Sequence, residues 1–133
     1  MIEYINDVTG IGAAQIEGFF VGWPNPPSSE KHLQILRQSY RAILAIDKNS
    51  GNVVGFITAI RDGVLAAYIS LLEVLPPFQG KGIGGELVGR MLQELEGFYM
   101  IDLICDPNLQ SFYERFGMRP YFGMIRRNFP GQV

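Results

Sequence analysis

Cysteine and histidine are almost missing from this chain: Cys105 and His32 are one of each among 133 residues. A lone thiol excludes an internal disulfide. One Cys with one His leaves almost no basis for a zinc site, so no metal is expected. An excess of either charge is missing too. Eleven Lys and Arg against thirteen Asp and Glu give a net charge of -2. With no run of Lys or Arg, nucleic acid is not an expected partner. Long apolar runs are absent, because Asp, Arg or Gly interrupts each one before the ~20 residues needed to cross a bilayer. The opening Met1-Ile2-Glu3-Tyr4-Ile5-Asn6-Asp7 has neither the basic nor the apolar region of a secretory leader. These absences lead to the expectation of a soluble, cytoplasmic domain with no membrane partner.

What is present is apolar. Hydrophobic residues are 47% and charged residues 18%, a globular balance, and the length suits a single domain over residues 1–133. The pattern predicts a short edge strand over residues 1–5. Asp7 or Thr9 can cap a helix to about residue 21, where Ile11, Ile16, Phe19 and Phe20 form a loose stripe. Gly22-Trp23-Pro24-Asn25-Pro26-Pro27 breaks regular structure, and Ser28 or Ser29 then caps a helix to about residue 40. Strands are predicted at residues 41–47, 53–61 and 64–75, the last entered through the Asp62-Gly63 turn. A helix to about residue 96, a strand over 99–105, a short helix through 116 and a final, antiparallel strand over 118–128 complete the chain. The order β-α-α-β-β-β-α-β-α-β reads as a mixed α/β sheet with one parallel βαβ crossover.

The chemistry concentrates in Glu73-Val74-Leu75-Pro76-Pro77-Phe78-Gln79-Gly80-Lys81-Gly82-Ile83-Gly84-Gly85. A strand, a glycine-dense turn and a helix start in succession make an anion cradle, since the first helical N–H groups have no intrahelical partner. A Walker loop is excluded, because Gly82 and not Ser or Thr follows Lys81. A dinucleotide fingerprint matches literally at Gly80, Gly82 and Gly85, with Asp106 ending the next strand. Against it, Pro76 to Gln79 lengthen the turn, and little chain follows Asp106 to build a second half.

The segment Gln79-Gly80-Lys81-Gly82-Ile83-Gly84 resembles the Gln/Arg-x-x-Gly-x-Gly/Ala loop of the GNAT acetyltransferase superfamily. Glu73-Val74-Leu75-Pro76 is similar to that family's strand end beside pantetheine. Asn108-Leu109-Gln110-Ser111-Phe112-Tyr113-Glu114-Arg115-Phe116-Gly117-Met118 resembles its Asn…Phe-Tyr-Glu-x-x-Gly-Phe/Met segment. The likeness covers the second half of the chain closely and the first half by element order. It implies a mostly antiparallel sheet with a V-shaped splay, helices on both faces, and an acyltransferase using acetyl-CoA. The expected activity is N-acetyltransferase: an acetyl group passes from coenzyme A to a primary amine, in a small molecule or a peptide, within a ternary complex.

The same resemblance assigns roles. Gln79, Gly80, Lys81, Gly82, Ile83 and Gly84 would hold the coenzyme A diphosphate, and Val74 or Leu75 would pair by backbone with pantetheine. Tyr113 would give a proton to the departing thiolate; a phenol with pKa near ~10 is protonated at neutral pH. Asn108 either contacts the coenzyme or caps the helix. Glu73 is either a general base or a structural carboxylate, as strand alternation sets it opposite Leu72 and Val74. Trp23 either walls the acceptor pocket or covers the core, and at most one of Arg126 and Arg127 can point into that pocket. His32 reads as a surface histidine without a role, and Cys105 as a small hydrophobe. A homodimer through the late strands is allowed. The rivals are an acyl-CoA-binding sensor domain and a dinucleotide-binding domain.

Overall fold

The computed structural model of the chain describes residues 1–131. The three middle strand-like segments form strands as their composition dictates: β2 (Arg41–Asp47), β3 (Val53–Arg61) and β4 (Ala66–Val74). With β1 (Ile2–Ile5) and β5 (Met100–Asp102) they make a five-stranded sheet in the order β1-β2-β3-β4-β5. The first three pairings are antiparallel and β4 with β5 is parallel. The parallel pair needs a crossover, which α2 (Ile83–Glu94) supplies.

Two core layers cover the two faces of the sheet. On one, Ile83, Leu87, Val88, Met91 and Leu95 from α2 and its end bury against Ile43, Ile57, Ala59 and Ile69. On the other, Leu33 and Leu36 of α1 (Ser29–Gln38) join Leu44, Val53 and Phe56. Ser28 caps α1, its side chain accepting from the Lys31 N–H at 3.1 Å. α3 (Gln110–Glu114) follows the short 3₁₀ turn Pro107–Leu109.

One extra residue in β4 sets what each face carries. Thr58 pairs with Leu71 but Ala59 pairs with Ile69, so Ser70 is a bulge, its hydroxyl 2.8 Å from that of Thr58. A bulge resets strand alternation. Leu72 and Val74 therefore join Ala67 and Ile69 on the α2 side, while Leu71 and Leu75 pack on the α1 side. Glu73 falls on the α1 side with them.

Several expectations are corrected. The helix read over residues 9–21 is a loop holding only the 3₁₀ turn Ala13–Gln15. Gly18 (φ 91) and Phe20 (φ 63) are left-handed there, which no α-helix tolerates. The apolar stripe is still buried: Ile11, Ile16, Phe19 and Phe20 enter the α1-side core from the loop. β4 starts at Ala66, and the strand read over 99–105 pairs only at Met100–Asp102. Residues 118–128 form no strand, because β5 offers only three residues of edge to pair with. His32 is not on the surface; it is buried on the inner face of α1.

Candidate active site

Strand β4 outlasts its parallel neighbour. Pairing with β5 stops at Tyr68 opposite Asp102, while β4 continues to Val74 bonded only to β3. Leu103 to Asp106 leave the sheet, so the V-shaped splay is present between them and the end of β4. Antiparallel alternation then decides which backbone groups face the opening. The Leu75 N–H donates to the Val54 carbonyl at 2.8 Å, and the Leu75 carbonyl accepts from the Phe78 N–H at 2.9 Å. Leu75 is thus engaged inside the fold, and the groups of Val74 point to the open side. The Val74 carbonyl accepts from the Gln79 side-chain amide at 2.9 Å. Gln79 ties the turn back to the strand that precedes it.

The turn delivers the start of α2 to the same place. Pro76–Phe78 form a 3₁₀ turn, and Gly82, at φ 86, is the left-handed N-cap of α2. A side chain would be strained there and at Gly80 (φ 76), and an added Cβ at either would meet nothing within 4 Å. The backbone is therefore open to a close-approaching anion, with the first N–H groups of α2 and the helix dipole behind it. Lys81 lies over the Phe78 ring, its Nζ 5.4 Å from the centroid. Gly84 has a different use: a Cβ there would sit 3.7 Å from Phe112 and 3.9 Å from Val74. It brings α2, α3 and the end of β4 into contact.

Phe112 on α3 and Phe116 just after it pack against α2, their rings 5.6 Å apart. Tyr113, one residue round, is buried beside Cys105. It lines a cavity of about 300 Å³ with Leu103, Cys105, Gln110 and Met118. Burial, and secondarily the Cys105 thiol, push its pKa up to about 12, so the phenol is protonated throughout the neutral range. Burial, followed by the Asp106 charge, raises the Cys105 thiol. Asn108 caps neither helix: Asp106 and Leu109 hold the N-cap positions.

Glu73 is engaged by the first loop. Its Oε1 accepts from the Phe20 N–H at 2.8 Å and its Oε2 from the Val21 N–H at 3.3 Å. Among the described residues, Phe20 is the one non-glycine residue with positive φ. That conformation costs an L-residue roughly 1–2 kcal/mol, which two charge-assisted hydrogen bonds can offset. Trp23 is half-exposed and lines a cleft of about 470 Å³ with Pro24, Pro27, Arg127 and Phe129. Arg127 borders both this cleft and a groove beside β5, whereas Arg126 lines the groove and not the cleft. The sequence reading missed the Phe20 kink. Its only trace was a bulky residue set between Gly18 and Gly22.

A splayed parallel pair, an open helix N-terminus at the splay and a buried phenol on the adjoining α3 make up the candidate site. The model of the acetyltransferase (GNAT) family matches residues 9–118, and the chain belongs to that family. It is 42% identical to a candidate acetyltransferase from Deinococcus radiodurans R1, whose crystal structure matches with TM-score 0.92 over 97% of this chain and 90% of that one. A GNAT family acetyltransferase from Streptococcus pneumoniae TIGR4 matches at 28% identity and TM-score 0.77, covering 96% and 98%. The protein named uncharacterized N-acetyltransferase ycf52 from Pyropia yezoensis is 32% identical over 101 residues, 73% of this chain and 58% of its own length. The Gracilaria tenuistipitata var. liui protein of that name is 30% identical over 73% of this chain and 55% of its own length. The chain spans little more than half the length of these two relatives.

Proposed function

We propose that this GNAT-type acetyltransferase is one domain that moves an acetyl group from acetyl-CoA to a primary amine by direct transfer in a ternary complex. The observation that carries this reading is the meeting of α2, α3 and the end of β4 at Gly84, close to Phe112 and Val74. Those elements bear the open N–H groups at the start of α2, the outward backbone of Val74 and the buried Tyr113 phenol. Main-chain donors at the start of α2 suit a diphosphate, and the Val74 N–H suits an amide of the carrier arm. Coenzyme A, when bound, supplies the thioester to be broken.

The remaining work belongs to the chain. Tyr113 holds its proton at neutral pH and donates a hydrogen bond, then the proton, to the sulfur as negative charge develops. Its high pKa makes complete transfer uphill, so the hydrogen bond itself is the larger contribution. The amine must lose a proton before or during attack. Glu73 spends one lone pair of each oxygen on the loop amides and is thereby an anchor. The amine then enters neutral, and the proton its nitrogen sheds on forming the amide balances the one that Tyr113 gives to the sulfur.

A second copy of the chain is the further partner we propose. Phe122 is 96% exposed and Met124 98% exposed, beside the short open edge of β5. Residues 118–127 make no backbone hydrogen bond among the described residues. The same chain thus presents an unpaired segment and an unpaired edge, which a two-fold dimer can match to one another. For the compartment we propose the cytoplasm, with the plastid as the second reading; an Arabidopsis thaliana relative, 27% identical over 81% of this chain, is named as chloroplastic. Among the described residues, no helix is long and apolar enough to cross a membrane.

The test is release of coenzyme A thiol from acetyl-CoA across a panel of primary amines. Amine-dependent release supports the proposal. Tight binding of acetyl-CoA with no release for any amine would favour the sensor reading.

A further inference from the structure

We propose that Glu73 is a positioning residue that selects the acceptor by holding Trp23 in place. The inference rests on the acetyltransferase reading above and adds a residue role to it. The connection runs through three hydrogen bonds and one ring contact. Glu73 accepts from the Phe20 and Val21 amides. The Phe20 carbonyl in turn accepts from the Trp23 N–H at 3.2 Å. The Phe20 ring meets the Trp23 ring edge-on, with centroids 4.9 Å apart.

Phe20 is itself fixed on its other sides by the rings of His32 at 4.8 Å and Phe56 at 6.1 Å. What packing alone does not fix is its left-handed backbone, φ 63. The carboxylate does, by accepting the two N–H groups that the kink turns toward β4. Without that acceptor the loop relaxes toward ordinary φ, and both references of Trp23 to Phe20 move. Trp23 faces the cleft it shares with Pro24, Pro27 and Phe129. An apolar aromatic wall of this kind favours an amine with a flat or bulky apolar body over a short aliphatic one. The Ser70 bulge is what makes the arrangement reachable, since it sets Glu73 on the loop side of the sheet.

The experiment compares the intact chain with Glu73→Gln and Glu73→Ala. Trp23 is the only tryptophan in the chain, so its emission and anisotropy report the loop with no substrate present. Gln retains one acceptor but turns an NH₂ toward a second N–H, so both variants should redden the emission and lower the anisotropy. With acetyl-CoA, 2-phenylethylamine and n-butylamine serve as acceptors. The expected result is an amine KM raised roughly tenfold with kcat within about threefold and an unchanged pH profile. The preference for the aromatic amine should shrink, and Glu73→Gln should add nothing to KM in a Trp23→Ala background.

A kcat loss of about a hundredfold with altered pH profile and unchanged Trp23 emission identifies Glu73 as a base and overturns the proposal. Unchanged emission and KM in both variants overturn it as well. Should neither amine be acetylated, the function reading is what suffers, and the fluorescence comparison alone still decides the anchor. If Glu73→Ala does not fold, the isosteric Glu73→Gln carries the test.

Discussion

Both ring nitrogens of His32 are buried without a hydrogen-bond partner, between the rings of Phe19, Phe20 and Phe56. Such a site accepts the neutral imidazole and rejects the cation, and burial lowers the His32 pKa from 6.5 to about 4. The sign follows from which state binds the proton more readily. Above pH 6.5 neither folded nor unfolded chain carries it, and the full stability is present. As pH falls from 6.5 toward 4 the unfolded state is protonated and the folded state is not, so stability is lost. The loss approaches roughly 3 kcal/mol at the low end. Urea titrations at pH 7, 5.5 and 4.5 should show this slope in the native chain and a shallower one in His32→Leu, although the exposed carboxylates add a background common to both. Tyr113 behaves in the opposite way, as an acid kept protonated by burial. Tyr113→Phe should lower kcat about a hundredfold and leave the affinity for coenzyme A within about twofold. With its pKa near 12, ionisation of Tyr113 should not limit the rate below about pH 11. An equal loss of affinity would make the phenol a packing residue.

At the scale of elements, the start of α2 separates two uses of glycine. Gly82 and Gly63 share a left-handed backbone, φ 86 and φ 87, in open surroundings. Alanine at either should cost about 1 kcal/mol of stability, read by denaturant unfolding. Only Gly82→Ala should also weaken coenzyme A binding by calorimetry. Equal binding in both variants would remove the α2 cradle from the site. This element was legible in the sequence because the turn residues and the amphipathic run after them act locally. So were the three long strands, where mainly apolar runs bounded by turn residues left no rival. The first loop was not. Its apolar residues sit at helical spacing, yet what bends it is a carboxylate more than fifty positions away, a long-range contact no local pattern encodes. Alternation rightly set Glu73 opposite Leu72 and Val74, but not which core layer it joins, since that depends on the Ser70 bulge and its partner, the Thr58 hydroxyl of a neighbouring strand. His32 carries the polar label of a surface residue and a buried position, and only tertiary packing distinguishes them.

For the whole molecule, the segment after Gly117 carries the open question of assembly. Tyr121, Phe122, Met124 and Ile125 are exposed together, and a run of exposed apolar side chains suits an interaction surface. Light scattering should give twice the mass of one chain. Phe122→Asp combined with Met124→Asp should return it to the monomer without unfolding the sheet, because neither side chain belongs to either core layer. A monomeric native chain would refute the dimer. The element order of the late half holds through α3; the chain's own pattern misread residues 118–128, because strand-like composition does not guarantee an edge to bind. Ser70 has a last consequence at this scale. Drawing Ser70 into the ladder, instead of letting it bulge, would impose strict alternation after Ile69 and exchange the two sides of β4 from Leu71 onward. The carboxylate would then be thrust among the leucines of α2, and Leu72 would be left to face the first loop. One hydroxyl-bearing residue held out of register thus keeps the wiring of β4 the right way round.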